Sequence, residues 1–451
     1  MSRRSSLATP RVGSPAHDRC VCGTAHHVPI DAIVIDECAI EQLCAYAMAR
    51  RWSRPMVIMD ANTEEAIGWR VVSELSSAKI RVAAFRFPDR SGLLADESSV
   101  SRLQASLNQV EIDSFIAVGS GVITDITRYV ASRMKREFVS VPTAASMDGY
   151  ASNVAAMEFG GIRTSYLAVP PVAIFADTKT IAAAPPCMTR AGLGDLLGKA
   201  SARIDWLMSH GLYREQFCPE AERRVVEPLV HAATHVDDIL GQSPEAVSQL
   251  LRGLVESGIA MAMVGSSRPA SGCEHHASHF WDLLASRGWR PRAPHGLQVG
   301  YATHFAMRLQ RFAFGGGVSV LTTPRPVVAD GEDARLWFAG HAVEVDAVME
   351  EKRRYLREHG SAWPATLSQW EALQDQAAEA MRVFPVVSKA LLAAGIPSDP
   401  GFFDLDTATL KTTFRLANRL RSRYTVLDFL EGQGRLEEAI DDALPSPPAA
   451  P

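Results

Sequence analysis

The sequence lacks the features that would assign it to a secreted, membrane-bound or nucleic-acid-binding class. Its seven cysteines are odd in number and scattered between Cys20 and Cys273, which does not indicate a disulfide framework and favours a reducing cytoplasm. No apolar run approaches the roughly eighteen residues of a membrane span, and none near Met1 resembles a signal peptide. A net charge of −5 provides no basic field for a nucleic-acid or anionic-membrane partner. We therefore expect a soluble, cytoplasmic protein.

The composition that remains is that of an ordinary globular chain. It has 451 residues, of which 47% are hydrophobic and 22% charged, and it shows no internal repeat, so about two or three domains are expected. Between residues 30 and 180, short β-rich runs alternate with helical stretches, which indicates a parallel sheet covered on both faces. The predicted strands cover 56–59, 80–85, 115–118, 138–141 and 172–175.

After about residue 181 the β-rich runs stop and amphipathic helical patterns follow one another. The sequence therefore predicts an α/β fold, with an N-terminal Rossmann-like domain followed by an all-helical domain. The predicted helices cover 188–209, 221–239, 244–265, 271–287, 295–312, 336–354, 366–385 and 404–420. The expected boundaries are a flexible leader at 1–28, the Rossmann-like domain at 29–180, the helical domain at 181–440 and a disordered tail at 441–451.

A glycine-containing turn follows the third predicted strand. Gly119 and Gly121 connect that strand to a helix, so that the backbone can approach a diphosphate and the helix can offer it free N–H groups. A tight turn without a ligand fits the same residues. Asp60, at the end of the strand 56–59, is placed to accept hydrogen bonds from a ribose diol, although it equally suits a helix N-cap.

The loop after the fourth predicted strand carries several hydroxyl groups and one carboxylate. Residues 141–152 include Thr143, Ser146, Asp148 and Ser152. Loops at this edge of a doubly wound sheet reach both the cofactor and the substrate. The alternative is a turn in which these side chains bond the local backbone.

Histidines cluster in the helical half of the chain. His275 and His279 are four residues apart, so a helix through them directs both rings to one face, and His295 follows in a His-Gly turn. The spacing suits metal ligands or substrate contacts. A zincin protease is excluded, because that chemistry needs Glu directly after the first His, where this chain has His276.

Asp195 stands between a glycine and two leucines, so it is expected to be buried and to need a cation or several donors. One candidate partner is Lys199, one helical turn later, in a simple salt bridge. The other is a divalent metal shared with His275 and His295, because one carboxylate and two imidazoles with an open position are typical of a catalytic metal site. A site that used both domains would lie in the cleft between them.

Five segments, in this order, carry a family resemblance: Gly119–Asp125, Pro142–Gly149, Gly192–Lys199, Ser267–His275 and Pro294–Gly296. Together they resemble the sn-glycerol-1-phosphate dehydrogenase family, particularly its bacterial branch. That family belongs to the superfamily of iron-containing alcohol dehydrogenases, glycerol dehydrogenases and dehydroquinate synthases. The resemblance covers roughly residues 28 to 310. The remaining C-terminal residues add only a compatible helical pattern.

The resemblance implies a role for each matching residue. Asp195, His275 and His295 would hold one divalent metal ion, expected to be zinc, nickel or iron. Asp148, Asp195 and His279 would be the catalytic residues and would face the substrate. The dinucleotide, NAD or NADP, would contact Asp60, Gly119, Gly121, Val122, Ile123, Thr124, Asp125, Thr143, Ser146 and Ser152.

Two positions depart from the superfamily pattern. Arg128 stands where Lys is common, and Ser120 replaces the middle glycine of the usual three. Because both replacements keep the charge or the small size, we expect them to change cofactor affinity rather than to abolish binding. Glu274, next to His275, could orient the imidazole of that ligand or could be a surface acid on the same helix.

The reaction that the resemblance implies is the reversible reduction of dihydroxyacetone phosphate to sn-glycerol 1-phosphate by NADH or NADPH, in a homodimer or larger homo-oligomer. The substrate phosphate needs cationic donors, for which Arg268 and Lys199 are the candidates. Without a phosphate site, the expected enzyme is a polyol dehydrogenase acting on an unphosphorylated diol. A dehydroquinate-synthase-like cyclase would be expected to have Glu at position 195, and a degenerate nucleotide-binding protein would not keep all three metal ligands.

A short cluster of cysteines and histidines lies near the start of the chain. Cys20 and Cys22 are followed by His26 and His27. Thiolates and imidazoles suit zinc, so the segment could hold a second metal ion. Because no second cysteine pair follows, a mobile leader without a metal is the alternative.

Overall fold

The computed structural model describes residues 20–108, 110–317, 332–360, 369–399 and 401–444. The first 19 residues of the predicted leader and residues 445–451 of the predicted tail lie outside this part of the chain. The chain divides into two compact units. The first unit comprises the residues up to Phe159, Thr164–Thr189 and Gly241–Gly265, and the second comprises Gly160–Arg163, Arg190–Leu240 and the residues from Ser266 onward.

A six-stranded parallel sheet forms the centre of the first unit. Neighbouring residues point to opposite faces, so that Val57 and Ile116 belong to one hydrophobic cluster while Met56 and Phe115 belong to another. The strands of the described residues are β1 (Ala32–Ile35), β2 (Pro55–Asp60), β3 (Ala83–Phe87), β4 (Ser114–Val118), β5 (Glu137–Val141), β6 (Val154–Phe159), β7 (Ile162–Leu167) and β8 (Ala173–Ala176). The sheet has the order β1-β8-β5-β4-β2-β3, and β6 pairs with β7 in a separate hairpin.

The α/β fold class is confirmed, with differences in detail. All five predicted strands are present, although β3 begins three residues later than the predicted run. Strand β1 and the hairpin of β6 and β7 were not predicted. The hairpin strands are half-exposed, so they give no long apolar signal. β1 is a buried apolar run of four residues, like several of the strands that were predicted, and its own pattern does not explain why it was missed. Gly160 and Gly161 form the hairpin turn with φ of +60° and +82°, a conformation that glycine adopts readily.

Helices surround the sheet and make up most of the second unit. Those of the described residues are α1 (Ala39–Ala49), α2 (Ala61–Thr63), α3 (Trp69–Ser77), α4 (Glu97–Leu107), α5 (Gly121–Met134), α6 (Thr178–Ala182), α7 (Pro186–Tyr213), α8 (Pro219–Thr234), α9 (Val236–Leu240), α10 (Pro244–Val264), α11 (Cys273–Ser286), α12 (His295–Phe312), α13 (Glu332–Trp337), α14 (Ala342–His359), α15 (Trp370–Ala380), α16 (Phe384–Ala393), α17 (Thr407–Leu416), α18 (Val426–Gly432) and α19 (Leu436–Ala443). Residues 441–443, predicted as the start of the tail, complete α19.

Helix α10 belongs to the first unit. The sequence analysis had predicted a helical domain from residue 181 to residue 440, which would have included this helix. Its amphipathic pattern predicts a helix but does not reveal which partner the helix packs against. In the described residues, α10 is also long and apolar enough to cross a membrane, and 67% of its most apolar window is buried. It contacts α6 and the short turn Gly149–Ala151 within the first unit. This packing is typical of a core helix.

Helices α11 and α12 lie in the core of the second unit. Every residue of α11 from Cys273 to Leu284 is buried, polar ones included. A helix that is buried on all sides must satisfy its polar side chains internally or use them for binding. The histidines, acids and serines of α11 are therefore candidates for internal hydrogen bonds or for ligand binding.

Candidate metal centre and active site

Asp195, His275 and His295 converge in the second unit. One donor atom of each lies within 4.8 Å of the others, and His275 Nε2 is 3.6 Å from Asp195 Oδ1. Two ligand atoms at the usual distance from a tetrahedral zinc ion are about 3.4 Å apart. The donor set of one carboxylate and two imidazoles therefore fits a divalent metal, as the sequence predicts.

A close crossing of α7 and α12 brings Asp195 next to the first turn of α12. A Cβ atom built at Gly296 would lie 1.9 Å from the Ala191 carbonyl oxygen, and one built at Gly194 would lie 2.2 Å from the Gly296 carbonyl oxygen. No side chain fits at either position. The two glycines therefore permit the backbone contact on which the ligand geometry depends.

Both imidazoles are oriented through their Nδ1 atoms. Glu274 Oε1 lies 2.7 Å from His275 Nδ1, and Ser278 Oγ lies 3.2 Å from His295 Nδ1. These contacts leave each Nε2 atom for a metal, which is the usual arrangement around protein metal ligands. Glu274 is fully buried and also accepts the Gly272 N–H, and burial raises the pKa of its carboxyl group. The alternative that Glu274 is a surface acid is wrong.

Ser278 was not identified from the sequence. Its position three residues after His275 on α11 places it on the same face of the helix, and that spacing was the available signal. A serine at this spacing is too common to be singled out unless its partner, His295, is known to lie opposite.

Lys199 forms a salt bridge with Asp195, and it is one of the two partners that the sequence predicted for this carboxylate. Lys199 Nζ lies 2.6 Å from Asp195 Oδ1, and both side chains are fully buried. A metal ion at this centre would share the Asp195 carboxylate with the ammonium group. Lys199 is therefore placed to fix the carboxylate rather than to contact a substrate phosphate.

His279 lies on α11, beside two candidate metal ligands, His275 and His295. Its ring stacks on that of His295 with 5.8 Å between the ring centroids. Burial lowers the pKa of His279 well below its usual value, and the positive charge of Arg421 lowers it further. Its Nδ1 atom has no hydrogen-bond partner among the described residues. Burial therefore favours the neutral form of His279, in which one ring nitrogen can donate and the other can accept a hydrogen bond.

The structure does not support a phosphate contact by Arg268. Its guanidinium group pairs with Glu215, with Nε 2.7 Å and Nη2 2.6 Å from the carboxylate oxygens. Nη1 donates to the Tyr424 carbonyl oxygen at 2.7 Å, and only 3% of the residue is exposed. All three nitrogen atoms have protein partners, so Arg268 holds the second unit together.

Two other arginines lie beside His279. Arg421 Nη2 donates to the Arg163 carbonyl oxygen at 2.7 Å, and Arg163 Nη1 lies 3.5 Å from Asp282 Oδ2. The same Asp282 oxygen lies 3.8 Å from His279 Nδ1. The Nε atoms of both arginines lack a partner among the described residues. Burial and the nearby charge of Arg163 lower the pKa of Arg421 to about 10, while the charge of Asp282 acts in the opposite direction. The two arginines therefore share one nearby carboxylate, that of Asp282.

In the first unit, the glycine turn after β4 has the form of an anion-binding site. A Cβ atom at Gly119 would lie 2.6 Å from Ile123 Cβ, so only glycine permits this turn against α5. The N-cap of α5 is Ser120, and among the described residues no side chain caps the helix. The N–H groups of its first turn and the positive end of its dipole suit a diphosphate. Ile123 and Thr124 are buried, so only their backbone is available for contact.

The contacts of Arg128 give a reason for arginine at a position where the resembling superfamily commonly has lysine. Its Nη1 atom lies 2.8 Å from Asp125 Oδ1 and 2.9 Å from the Val154 carbonyl oxygen. Its Nη2 atom donates to the carbonyl oxygens of Gly149 and Tyr150. A lysine has one nitrogen and cannot make this fork of bonds. Asp125 is therefore half of a buried ion pair that ties α5 to the 149–154 loop, and its expected nucleotide contact stays a prediction.

Several other predicted cofactor residues have local hydrogen bonds. Asp60 is the N-cap of α2, where Oδ1 accepts the N–H groups of Asn62 and Thr63. Ser152 Oγ donates to the Val154 carbonyl oxygen at 2.9 Å. These are the structural alternatives that the sequence left open. Ser146 is 3.3 Å from the Tyr150 hydroxyl, while Thr143 and Asp148 lie in the loop after β5. Their nucleotide or substrate contacts stay predictions.

Comparisons with known proteins identify relatives of this chain. The family model for iron-containing alcohol dehydrogenases matches residues 34–185. A glycerol-1-phosphate dehydrogenase [NAD(P)+] of Geobacillus thermodenitrificans is 33% identical over 286 residues, which cover 62% of this chain and 70% of the relative. The enzyme of the same name from Geobacillus stearothermophilus is 34% identical over 288 residues, covering 63% and 71%.

A solved structure shows the same fold. The iron-containing alcohol dehydrogenase of Thermococcus thioreducens superimposes with a TM-score of 0.62 over 94% of this chain and all of that one, at 13% identity. At this identity the likeness concerns the fold alone. The sequence relatives are more specific, since they share a third of their residues over more than two thirds of their length. The chain therefore belongs to the glycerol-1-phosphate dehydrogenase family.

Proposed function

We propose that the chain reversibly reduces dihydroxyacetone phosphate to sn-glycerol 1-phosphate with NADH or NADPH, using a divalent metal held by Asp195, His275 and His295. The observation that carries the proposal is the convergence of these three ligands, with both imidazoles oriented through Nδ1. A dication held there would supply Lewis acidity toward the substrate oxygen, and the nicotinamide would supply or accept the hydride. Zinc, nickel and iron all suit the donor set.

The residues around the metal ligands have distinct tasks in this proposal. Lys199 and Glu274 fix Asp195 and His275, so that the ligands are in place before substrate binds. His279 stays neutral because it is buried, which suits a group that passes a proton rather than one that stores it. Asp148 of the first unit is proposed to face the substrate, as the family resemblance implies.

Arg163 and Arg421 support a phosphorylated substrate. They are cationic, half-buried and adjacent to His279, and Arg421 has only carbonyl oxygens as hydrogen-bond partners among the described residues. A phosphate dianion would provide the negative charge that this pair lacks. We therefore assign the substrate phosphate to Arg163 and Arg421, in place of Arg268 and Lys199.

The dinucleotide is proposed to bind in the first unit. Its diphosphate would lie at the uncapped N-terminus of α5, against Gly119 and Gly121. The adenosine ribose would lie near Asp60, whose capping bonds use Oδ1. We further propose that the enzyme works in the cytoplasm as a homodimer or larger homo-oligomer, as the family resemblance implies.

The test is a cofactor-oxidation assay with dihydroxyacetone phosphate and with dihydroxyacetone. We expect NADH or NADPH to be oxidised in the presence of dihydroxyacetone phosphate. This activity should cease after chelation of the metal and should return when zinc, nickel or iron is added. A strong preference for dihydroxyacetone would instead establish a polyol dehydrogenase. Turnover of a sugar phosphate without net consumption of NADH would indicate a cyclase, and either outcome would overturn the proposal.

A further inference from the structure

Cys20, Cys22 and His26 form a cluster in the first unit that the dehydrogenase reaction does not use. A donor atom of each lies within 4.8 Å of those of the others. The thiols come together because residues 20–23 make a tight turn, in which the Gly23 N–H donates to the Cys20 carbonyl oxygen at 2.7 Å. Gly23 has φ of +81°, so the turn requires a residue that tolerates the left-handed region.

The ring of His26 is fixed in a metal-binding orientation. Its Nδ1 atom lies 2.7 Å from the Met263 carbonyl oxygen, in the last turn of α10. A carbonyl oxygen only accepts, so Nδ1 carries the proton and Nε2 has the lone pair. That Nε2 atom lies 3.2 Å from Cys22 Sγ. A histidine that ligates a metal commonly donates its other N–H group to a backbone carbonyl in this way.

We propose that Cys20, Cys22 and His26 bind a structural zinc ion, separate from the ion at Asp195, His275 and His295. Two thiolates and one imidazole are soft donors that zinc prefers, and they leave one position of the tetrahedron for water or a further side chain. Binding converts two thiols to thiolates and releases their two protons to solvent. The ion attaches the N-terminal segment to the end of α10 through His26.

Cobalt(II) distinguishes this site from the catalytic one. A thiolate bound to cobalt(II) gives an intense charge-transfer absorption in the near ultraviolet, and the catalytic donor set contains no sulfur. The full-length protein, reduced and freed of metal, is titrated with cobalt(II) under anaerobic conditions. We expect the thiolate absorption to appear and to disappear when zinc is added. Absence of this absorption in the wild-type protein would overturn the proposal.

Variants assign the signal to these residues. Cys20→Ser/Cys22→Ser should lose the thiolate absorption and hold about one zinc ion fewer per chain than the wild type, measured by elemental analysis. The matched control is Cys38→Ser/Cys187→Ser, which removes two exposed cysteines of the first unit. This control should keep the thiolate absorption and the zinc content of the wild type. His26→Gln keeps both thiols, and should weaken zinc binding at least tenfold while the protein stays folded by circular dichroism. An unchanged zinc content in the cysteine variant, or an equal loss in the control, would contradict the assignment.

Cys44, a buried cysteine of the first unit, is less suited to bind a metal ion. Burial raises the pKa of Cys44 to about 11, so its thiolate form is disfavoured. The proposal does not depend on the dehydrogenase activity, because both measurements are made without substrate or nucleotide.

Discussion

Glu274 Oε1 lies 2.7 Å from His275 Nδ1, and this contact directs Nε2 of the imidazole toward Asp195. The negative charge of the carboxylate makes the imidazole a stronger donor to a metal. Glu274→Gln keeps the size of the side chain and removes the charge, so we expect metal affinity at the centre to fall by about 10- to 100-fold.

Competition with a chelator of known affinity measures this change in the purified protein. Glu344→Gln, on the exposed face of α14, is the control and should bind metal as the wild type does. Equal metal affinity in Glu274→Gln and wild type would show that the contact does not support the ligand.

The crossing of α7 and α12 predicts a sharp effect of a single methyl group. In Gly296→Ala the new Cβ atom would lie 1.9 Å from the Ala191 carbonyl oxygen, so the helices must separate. We expect the free energy of unfolding to fall by about 3 kcal/mol, the upper part of the range for overpacked cores. Because the separation moves Asp195 away from His295, metal affinity should fall as well.

Gly315→Ala is the matched control for this change. Its φ is −91°, and no described atom lies within 4 Å of the added Cβ position. In urea unfolding, Gly296→Ala should therefore have a clearly lower free energy of unfolding than Gly315→Ala. Equal stability would mean that the backbones of α7 and α12 do not approach as closely as described.

The substrate phosphate can be traced through Arg421. Arg421→Gln removes the charge but keeps a hydrogen-bonding side chain, so the KM for dihydroxyacetone phosphate should rise by about 10- to 100-fold, as expected for the loss of a charge-assisted bond. Activity with unphosphorylated dihydroxyacetone should change little. Steady-state kinetics of Arg415→Gln, an exposed arginine of α17, provides the comparison. The assignment fails if both substrates are affected equally.

Asp205 predicts a pH dependence of stability. It is fully buried in the second unit, where desolvation is the main cause that raises its pKa to about 7, and the charge of Glu274 contributes. The unfolded chain ionises near the usual value of 3.8 and the folded chain only near 7. The folded state therefore binds the proton more tightly, and stability from this group is present at low pH and is lost as the pH rises between these values.

Urea unfolding at pH 5 and pH 8 measures this loss against Asp205→Asn, which does not titrate. The free energy of unfolding of the wild type, relative to the variant, should fall by about 3 kcal/mol between the two pH values. The variant itself should be less stable at pH 5, because an amide cannot accept all the bonds from Cys273, Val426 and Gln310. A pH-independent difference would show that Asp205 keeps an ordinary pKa.

Local patterns in the sequence predicted the parts of the fold that depend on neighbouring residues. Apolar runs identified the strands around Phe115 and Phe138, and the spacing of His275 from its neighbours identified one face of α11. The family resemblance and the chemistry of carboxylate and imidazole singled out Asp195, His275 and His295, which the fold brings together, while their role as metal ligands stays a prediction. Each of these inferences uses residues close together in the chain or a motif already known.

Residues that act through distant contacts could not be predicted in this way. Arg421 lies far from His279 in sequence, and only the folded chain brings its charge to that ring. Arg268 suited a phosphate by residue type, but the fold surrounds it with Glu215 and Tyr424. The packing of α10 in the first unit likewise depends on its partners rather than on its own pattern.

The three proposed metal ligands come from three helices, α7, α11 and α12, and Asp195 lies 80 residues before His275 in the sequence. An ion bound to all three would act as a reversible cross-link that closes the long loop between Asp195 and His275, and closing such a loop removes entropy from the denatured ensemble. The ion must also leave before these helices can part. In the proposed enzyme the occupied centre should therefore slow the opening of the second unit, and the ion would lengthen the lifetime of the protein as well as supply Lewis acidity.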